Sequence, residues 1–281
     1  MTQEMVGVNP DKLFGLAIDL LEKCRKGVFT QSEVELFLQR QNPFNNSWQG
    51  EIIRLTQQKL RKKLEQIIQP PGLPAAITKE LFNKFAGFNM RLCFLPALDI
   101  TEDFNCRGYI KPQQWFYEKI IEGKIAKDAT QLPGIWVFAD FSKAVDYTDG
   151  TQVFHKDSLT SLISQLRWAG KIGKNDKTPI GSRFTITNDE WRNVVAPAFA
   201  ELIGVNPCQV RLERTIEFNF IGNVYDKNRG RSNIWQWFQD EFGQSYRLYG
   251  GSRDYGGLAN VDYHSADNRV CDICGRLLVE F

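Results

Sequence analysis

The stretch 245–281, SYRLYGGSRDYGGLANVDYHSADNRVCDICGRLLVEF, differs in composition from the rest of the chain. Residues 245–279 contain no Lys, Glu, Gln, Met or Trp. They are rich in Tyr, Asp, Asn, Ser, Gly and Arg, and the pairs Gly250–Gly251 and Gly256–Gly257 allow tight turns. Tyr offers a large contact area with few rotatable bonds, Arg offers forked donors, and Ser and Asn adapt their hydrogen bonds. This composition favours a ligand-binding surface, although a Gly-rich polar surface loop would have the same makeup.

Upstream of this tail the pattern is mixed α and β. Residues 91–100 and 134–141 are predicted strands, and apolar residues at helical spacing predict a helix at 159–166. Thr187 or Asn188 begins another predicted helix, which ends at Gly204. Its inward side chains are expected to be Trp191, Val194, Val195, Phe199 and Leu202. Residues 210–220 alternate between apolar and polar, which predicts a strand with one wet face.

The first third of the chain is predicted to be helical. Asn9 and Pro10 suit the start of a helix, and Thr30 with Glu33 forms a capping-box pattern. Apolar residues from Ile53 to Ile67 mark a third helix ahead of Pro70 and Pro71. We therefore predict a helical N-terminal segment, residues 1–75. The basic run Arg61, Lys62 and Lys63 on the third helix is interpreted as a solvated face, with nucleic-acid contact as the alternative.

Bulk properties narrow the class of protein. The chain has 281 residues, is 42% hydrophobic and 12% aromatic, and carries a formal charge of +2. It can bury a sizeable core, and its charge balance gives no reason to expect nucleic acid as the partner. The sequence has no signal-peptide pattern and no apolar run long enough to cross a membrane. A cytoplasmic protein with free thiols is the expectation, with virion or cell-surface association left open.

Two stretches carry a family resemblance. GSRFTITNDEW, residues 181–191, resembles the turn into a helix in C-type-lectin-like domains of the formylglycine-generating-enzyme type, where Arg-Leu-Pro-Thr precedes an acidic residue and Trp. Phe184, Thr185 and Ile186 depart from that pattern. The Gly-Gly-Ser turn at 250–252 and the closing GRLLVEF at 275–281 resemble the end of such domains, without the Phe that usually follows the closing Gly. The resemblance implies an α+β fold with a C-type-lectin-like domain at 85–281.

Within that fold the chain most resembles the variable proteins of diversity-generating retroelements. In those systems template adenines are randomised on copying, so that Asn codons become any codon ending in a pyrimidine. Such codons cannot encode Lys, Glu, Gln, Met or Trp, the five types that the tail lacks. The resemblance implies a non-enzymatic binder of a macromolecular ligand, most plainly a protein, with a variable region at about 250–274 and no cofactor.

The resemblance also implies which tail residues are diversified and which are scaffold. Leu258, Val261, Leu277, Leu278 and Val279 are expected to be scaffold. The expected exposed ligand-binding positions are Ser252, Arg253, Asp254, Tyr255, Asn260, Asp262, Tyr263, His264, Asn268, Arg269 and Asp272.

Two alternatives use the cysteines of the tail. Cys271 and Cys274 have the spacing of half a zinc site, and His264 is a candidate third ligand in a zinc-stabilised, nucleic-acid-associated protein. The same lectin-like family contains oxidases with a reactive cysteine pair, which makes a cysteine-dependent oxidase the second alternative. The sequence has no second Cys-x-x-Cys to complete a zinc site and none of the Glu-Pro-Asn or Gln-Pro-Asp motifs typical of calcium-dependent sugar binding.

Overall fold

The computed structural model describes Gly27 and residues 48–281. The helices predicted at Asn9 and Thr30 lie outside these residues. The chain divides into two compact units, Met1–Gln57 and Gln58–Phe281. Among the described residues no helix is both long and apolar enough to span a membrane.

The described chain is an α+β structure, which confirms the predicted class. Its helices are α1 (Trp48–Leu64), α2 (Lys79–Gly87), α3 (Gln114–Ile121), α4 (Thr160–Trp168), α5 (Asn188–Glu190), α6 (Ala196–Ile203) and α7 (Thr215–Val224). Its strands are β1 (Met90–Asp99), β2 (Gln131–Asp140), β3 (Val210–Leu212), β4 (Trp235–Phe242), β5 (Tyr246–Gly250), β6 (Val261–Ser265), β7 (Ile273–Cys274) and β8 (Leu277–Glu280). The predicted third helix, the two strands β1 and β2, and the helix α4 are all present.

The first sheet has the strand order β1-β2-β8-β3, and all its pairings are antiparallel. The last strand of the chain therefore lies between β2 and β3, with Val279 opposite both Phe138 and Val210. Leu277, Leu278 and Val279 are buried, as expected for scaffold. The C-terminal residues thus complete the core rather than extend the polar tail.

The prediction of one strand over residues 210–220 is wrong. Strand β3 ends at Leu212 and helix α7 begins at Thr215. The Glu217 carboxylate accepts a hydrogen bond from the Arg214 backbone N–H at 2.8 Å and so caps the new helix. Both Glu217 and Asn219 are fully buried, so the polar half of the alternation does not face water. A helix buried on all sides has no amphipathic period, which is why its alternation resembled a strand.

The helix predicted from Thr187 is confirmed at its start. The Thr187 hydroxyl accepts from the Glu190 N–H, and the Glu190 carboxylate accepts from the Thr187 N–H, which makes a full capping box. A π-helical turn, Trp191–Val195, joins α5 to α6. This wider turn shifts the phase of the residues that follow it. The buried residues of α6 are Ala196, Phe199, Ala200 and Ile203, and Leu202, predicted to face inward, lies off that face and is 46% exposed.

A buried cluster of charged side chains fixes the loops that approach the first sheet. Arg183 is fully buried and forms ion pairs with Asp140 and Asp157. Its guanidinium also donates to the Ser142 hydroxyl at 3.0 Å. Arg276, from the stretch between β7 and β8, donates to the Ser142 carbonyl at 2.7 Å. The end of β2, the GSRF segment and the C-terminal strand are thereby held at one point.

Candidate ligand-binding surface

The tail forms most of a second sheet, with the strand order β6-β5-β4-β7. Strands β4, β5 and β6 are antiparallel, and β7 pairs in parallel with β4. The pairing places Trp237 opposite Tyr249 and Tyr249 opposite Asp262. Because side chains on neighbouring strands at paired positions share a face, these three lie on the same side of the sheet.

The two faces of this sheet have different roles. On one face Phe238, Leu248 and Val261 are buried in a core that also contains Phe116 and Phe218. The other face carries Trp235, Tyr249, Asp262 and His264 on consecutive strands. The side chains of the first face hold the sheet to the rest of the domain. The second face also carries Trp237, which is fully buried and donates to the Ile186 carbonyl at 3.2 Å, so this face is outward at Trp235, Tyr249, Asp262 and His264 but covered at Trp237.

Aromatic contacts join the outward residues into one patch. Tyr255 is 67% exposed and packs against Trp235 with ring centroids 4.8 Å apart. Trp235 contacts Tyr249 edge-on at 4.9 Å, and Tyr249 lies 6.3 Å from His264. The Asn268 amide nitrogen is 3.0 Å from Nε2 of His264. We call this set the tail surface: Trp235, Tyr249, Arg253, Asp254, Tyr255, Asp262, His264 and Asn268.

A short 3₁₀ turn, Arg253–Tyr255, presents the most exposed part of the tail surface. Gly256 ends this turn in the left-handed region at φ 114°, where side chains other than glycine are strained. The Arg253 guanidinium is about half exposed and lies 3.2 Å from Asp254 and 3.5 Å from Asp146. Exposed ion pairs of this kind contribute little to folding, so these side chains remain available for a ligand.

The electrostatics of the tail surface favour hydrogen bonding. Burial and the nearby Asp262 carboxylate raise the pKa of the Tyr249 phenol, so its O–H stays protonated. Burial also raises the pKa of Asp272, and His264 opposes that change. The phenols, the imidazole, the carboxylates and the Arg253 guanidinium give donors and acceptors without one dominant charge. A surface of this composition suits a polar macromolecular ligand.

Two predicted positions are buried, which corrects the expectation that they are exposed. Ser252 has no exposed surface, and its hydroxyl donates to the Asn233 carbonyl at 3.1 Å. Asn260 is 5% exposed, and its carbonyl accepts from the Gly251 N–H at 3.2 Å. Both lie where the chain crosses over itself after β5. The glycines at this point allow the two backbone segments to approach each other closely. Ser252 and Asn260 therefore hold the loop in place and are not part of the tail surface.

Two further predicted positions are separated from the tail surface. Tyr263 points to the opposite side of β6 from Asp262 and stacks on Phe242 at 4.1 Å and Trp115 at 5.9 Å. Arg269 is half-buried and donates to Glu190. Asp272 is half-buried at the edge of the tail surface, where its carboxylate interacts electrostatically with His264 and its carbonyl accepts from the Trp235 N–H at 2.9 Å.

Sequence reasoning missed Trp235 and Tyr249, which complete the tail surface. Trp235 is half-buried, with the Tyr249 and Tyr255 rings packed on it. The alternation of Arg247, Tyr249 and Gly251 along the strand is the sequence signal that could have identified Tyr249 as outward-facing.

The two cysteines of the tail lie in different surroundings. Cys271 Sγ lies 3.3 Å from the Tyr147 hydroxyl, and this contact raises the pKa of Tyr147 to about 12. Cys274 is buried, its thiol donates to the Trp235 carbonyl at 3.3 Å, and burial raises its pKa to about 12. A buried thiol with a raised pKa is a poor nucleophile. Within residues 48–281 no group of three or more His, Cys, Asp and Glu residues is arranged to hold a metal ion.

In comparisons with known proteins, no protein-family model, no curated protein and no solved structure matches this chain.

Proposed function

We propose that this chain is a ligand-binding protein that displays a diversified surface on a C-type-lectin-like scaffold, as do the variable proteins of diversity-generating retroelements. It binds a protein ligand through the tail surface and catalyses no reaction. The observation that carries the proposal is that Arg253, Asp254, Tyr255, Asp262 and His264 converge on one outward patch. These residues belong to the same tail that lacks Lys, Glu, Gln, Met and Trp.

The packing of the tail supports a division between support and display. Its apolar residues Leu248, Val261 and Leu278 are buried in the cores of the two sheets. The outward side chains make mostly exposed contacts with one another. Substitutions on an exposed patch of this kind change the free energy of unfolding little, since few buried contacts depend on them. A fixed fold that carries a changeable surface is what diversification requires.

The position of the C-terminal strand supports the lectin-like assignment. Strand β8 returns to the first sheet between β2 and β3, and the second sheet with its loops is inserted before it. The GSRF segment that precedes the Thr187 helix is buried and anchored through Arg183. Both stretches that carry the family resemblance are therefore structural parts of the scaffold.

Two matched libraries test the proposed function. The surface library randomises Arg253, Asp254, Tyr255, Asp262, His264 and Asn268 together, using codons that end in a pyrimidine. The control library applies the same codons to six positions on the inner side of the same tail, namely Ser252, Asn260, Val261, Arg269, Ile273 and Cys274. Each library is displayed on yeast and scored for protease resistance, then selected against a panel of immobilised proteins.

We expect most members of the surface library to stay folded and some to bind single panel proteins after selection. We expect most members of the control library to be cleaved, because they lose buried contacts. A surface library as protease-sensitive as the control library would contradict the proposal. A folded surface library that yields no binder to any panel protein would contradict the binding role alone.

A further inference from the structure

A second concave site lies beside the tail surface, between the end of α7 and the loop that follows β5. It is a cleft of about 460 Å³. Its lining includes Lys63, Lys227, Arg229, Arg231 and Arg253, and among the residues that the structure describes no Asp or Glu lines it. This volume lies within the range of small-molecule sites, and the lining has one sign of charge.

The positive charge of this cleft is only partly neutralised by the protein. Arg229 is buried, forms an ion pair with Glu213 and donates to the Asp140 carbonyl at 2.8 Å. Lys63 donates to the Gly108 carbonyl at 2.6 Å, which leaves its charge without a counter-charge. Within residues 48–281, Lys227 and Arg231 form no ion pair, and both are exposed. Three cations at the cleft are therefore left for a ligand to neutralise.

Glycines build the wall of the cleft from two crossing backbones. Gly230 and Gly257 meet so closely that a Cβ on Gly257 would lie 2.6 Å from the Gly230 carbonyl oxygen. A Cβ on Gly230 would lie 2.6 Å from the Leu258 backbone nitrogen. Gly222 likewise has no room for a side chain, since Leu258 packs directly on it. These glycines are therefore required by the crossing of the two backbone segments, which fixes the shape of the cleft wall.

We propose that this cleft binds the phosphate groups of a small phosphorylated ligand. Arg231 and Arg253 supply planar guanidinium groups that can bind phosphate oxygens in pairs, and Lys63 and Lys227 supply point charges at the rim. The inference does not rest on the proposed function, because three of these four residues lie outside the tail. Arg253 belongs to both sites, so a bound phosphate would also fix one edge of the tail surface.

Calorimetric titration of the full chain with inorganic pyrophosphate tests this site. We expect saturable binding with a Kd below about 1 mM at low salt. The double variant Lys227→Gln/Arg231→Gln should raise that Kd about tenfold or more, because it removes two charged hydrogen-bond donors. The control Lys124→Gln/Lys171→Gln removes the same charge from exposed sites outside the cleft and should leave the Kd within about twofold.

Both variants should keep the unfolding midpoint of the parent chain, since all four side chains are exposed. Absence of saturable binding up to about 10 mM, or equal weakening in the two double variants, would overturn the site. The final comparison is a calorimetric titration with citrate at matched ionic strength. Binding of citrate as tight as that of pyrophosphate would overturn the assignment to phosphate. Each of these outcomes leaves the library test of the tail surface unaffected.

Discussion

Arg269 donates hydrogen bonds to both carboxylate oxygens of Glu190, at 2.7 Å to Oε2 and 2.8 Å to Oε1. Glu190 is also the residue that completes the capping box of Thr187, and it accepts from the Gly173 N–H at 2.8 Å. Burial raises the pKa of Glu190, but these hydrogen bonds outweigh burial and hold its pKa below the ordinary value. One carboxylate therefore connects the tail, the start of a scaffold helix and a loop.

Replacement of Arg269 should destabilise the fold although Arg269 lies in the tail. Arg269→Ala leaves a half-buried carboxylate without its charged partner, so we expect the free energy of unfolding to fall by about 1 to 2 kcal/mol. Urea denaturation at neutral pH measures this change. The control is Arg253→Ala, which removes another tail arginine whose ion pairs are exposed and should leave the midpoint unchanged. Equal effects of the two variants would contradict the structural role of Arg269.

The turn after β5 should tolerate no side chain at its second glycine. Gly251 has a φ of 92°, and a Cβ there would lie 2.7 Å from the Phe218 ring. Gly251→Ala should therefore cost about 2 kcal/mol or more, from backbone strain plus displacement of a core ring. Gly243→Ala provides the control, because Gly243 has a φ of 62° with nothing within 4 Å of the added Cβ. Thermal unfolding should show a larger loss for Gly251→Ala, and similar losses would contradict the crowding at Phe218.

The buried cluster at Asp140 predicts how stability depends on pH. Burial raises the pKa of Asp140, but Arg183 and Arg276 outweigh it and lower the pKa from 3.8 to about 2. Because the folded pKa is depressed, Asp140 contributes stability that is present above about pH 4 and is lost as the pH falls through about 2. The contribution is of the order of 2 kcal/mol.

Urea denaturation between about pH 2 and about pH 5 measures how the free energy of unfolding depends on the protonation of Asp140. Asp140→Asn should lower the free energy of unfolding at neutral pH. It should also reduce the further loss of stability at acid pH, because the titrating group is gone. The control Asp176→Asn changes an exposed carboxylate and should keep the parent curve. If Asp140→Asn lost as much stability at acid pH as the parent chain does, the buried cluster would not set the acid sensitivity.

Two tyrosines of the tail should respond differently to truncation. Tyr263 is 41% exposed but stacks on Phe242 and contacts Tyr246 and Trp115. Tyr263→Ala should therefore lower the free energy of unfolding by about 1 kcal/mol. Tyr255→Ala removes a more exposed ring that contacts the Trp235 ring and should change stability by less than about 0.5 kcal/mol. The reverse order in thermal unfolding would contradict the assignment of Tyr263 to the support side.

The sequence predicted the elements whose patterns are local. Strands β1 and β2, helix α4 and the cap at Thr187 followed from apolar spacing and from capping residues. Helix α7 could not be predicted, because Glu217 and Asn219 are polar yet buried by tertiary contacts. The exposure of Leu202 also has no local signal, because apolar spacing alone does not show which edge of the α6 face is covered.

The candidate site was predicted in part for similar reasons. Composition pointed to the tail, and Arg253, Asp254, Tyr255, Asp262, His264 and Asn268 do lie on its outer side. Ser252 and Asn260 look the same in composition but are buried where the backbone crosses itself. Trp235 lies before the tail in sequence and joins the surface only through the pairing of β4 with β5. Polar residue type alone does not distinguish these positions, whereas strand register does.

Sequencing the DNA around this gene, in several isolates of its source, shows whether the tail is diversified. We expect a near-copy of the segment that encodes residues 250–281, beside a reverse-transcriptase gene, with differences confined to template adenines. We also expect substitutions between isolates to concentrate at Arg253, Asp254, Tyr255, Asp262, His264 and Asn268 and to spare Ser252, Asn260 and Arg269. Absence of any such copy, together with substitutions spread evenly over buried and exposed tail positions, would contradict a diversified binding surface.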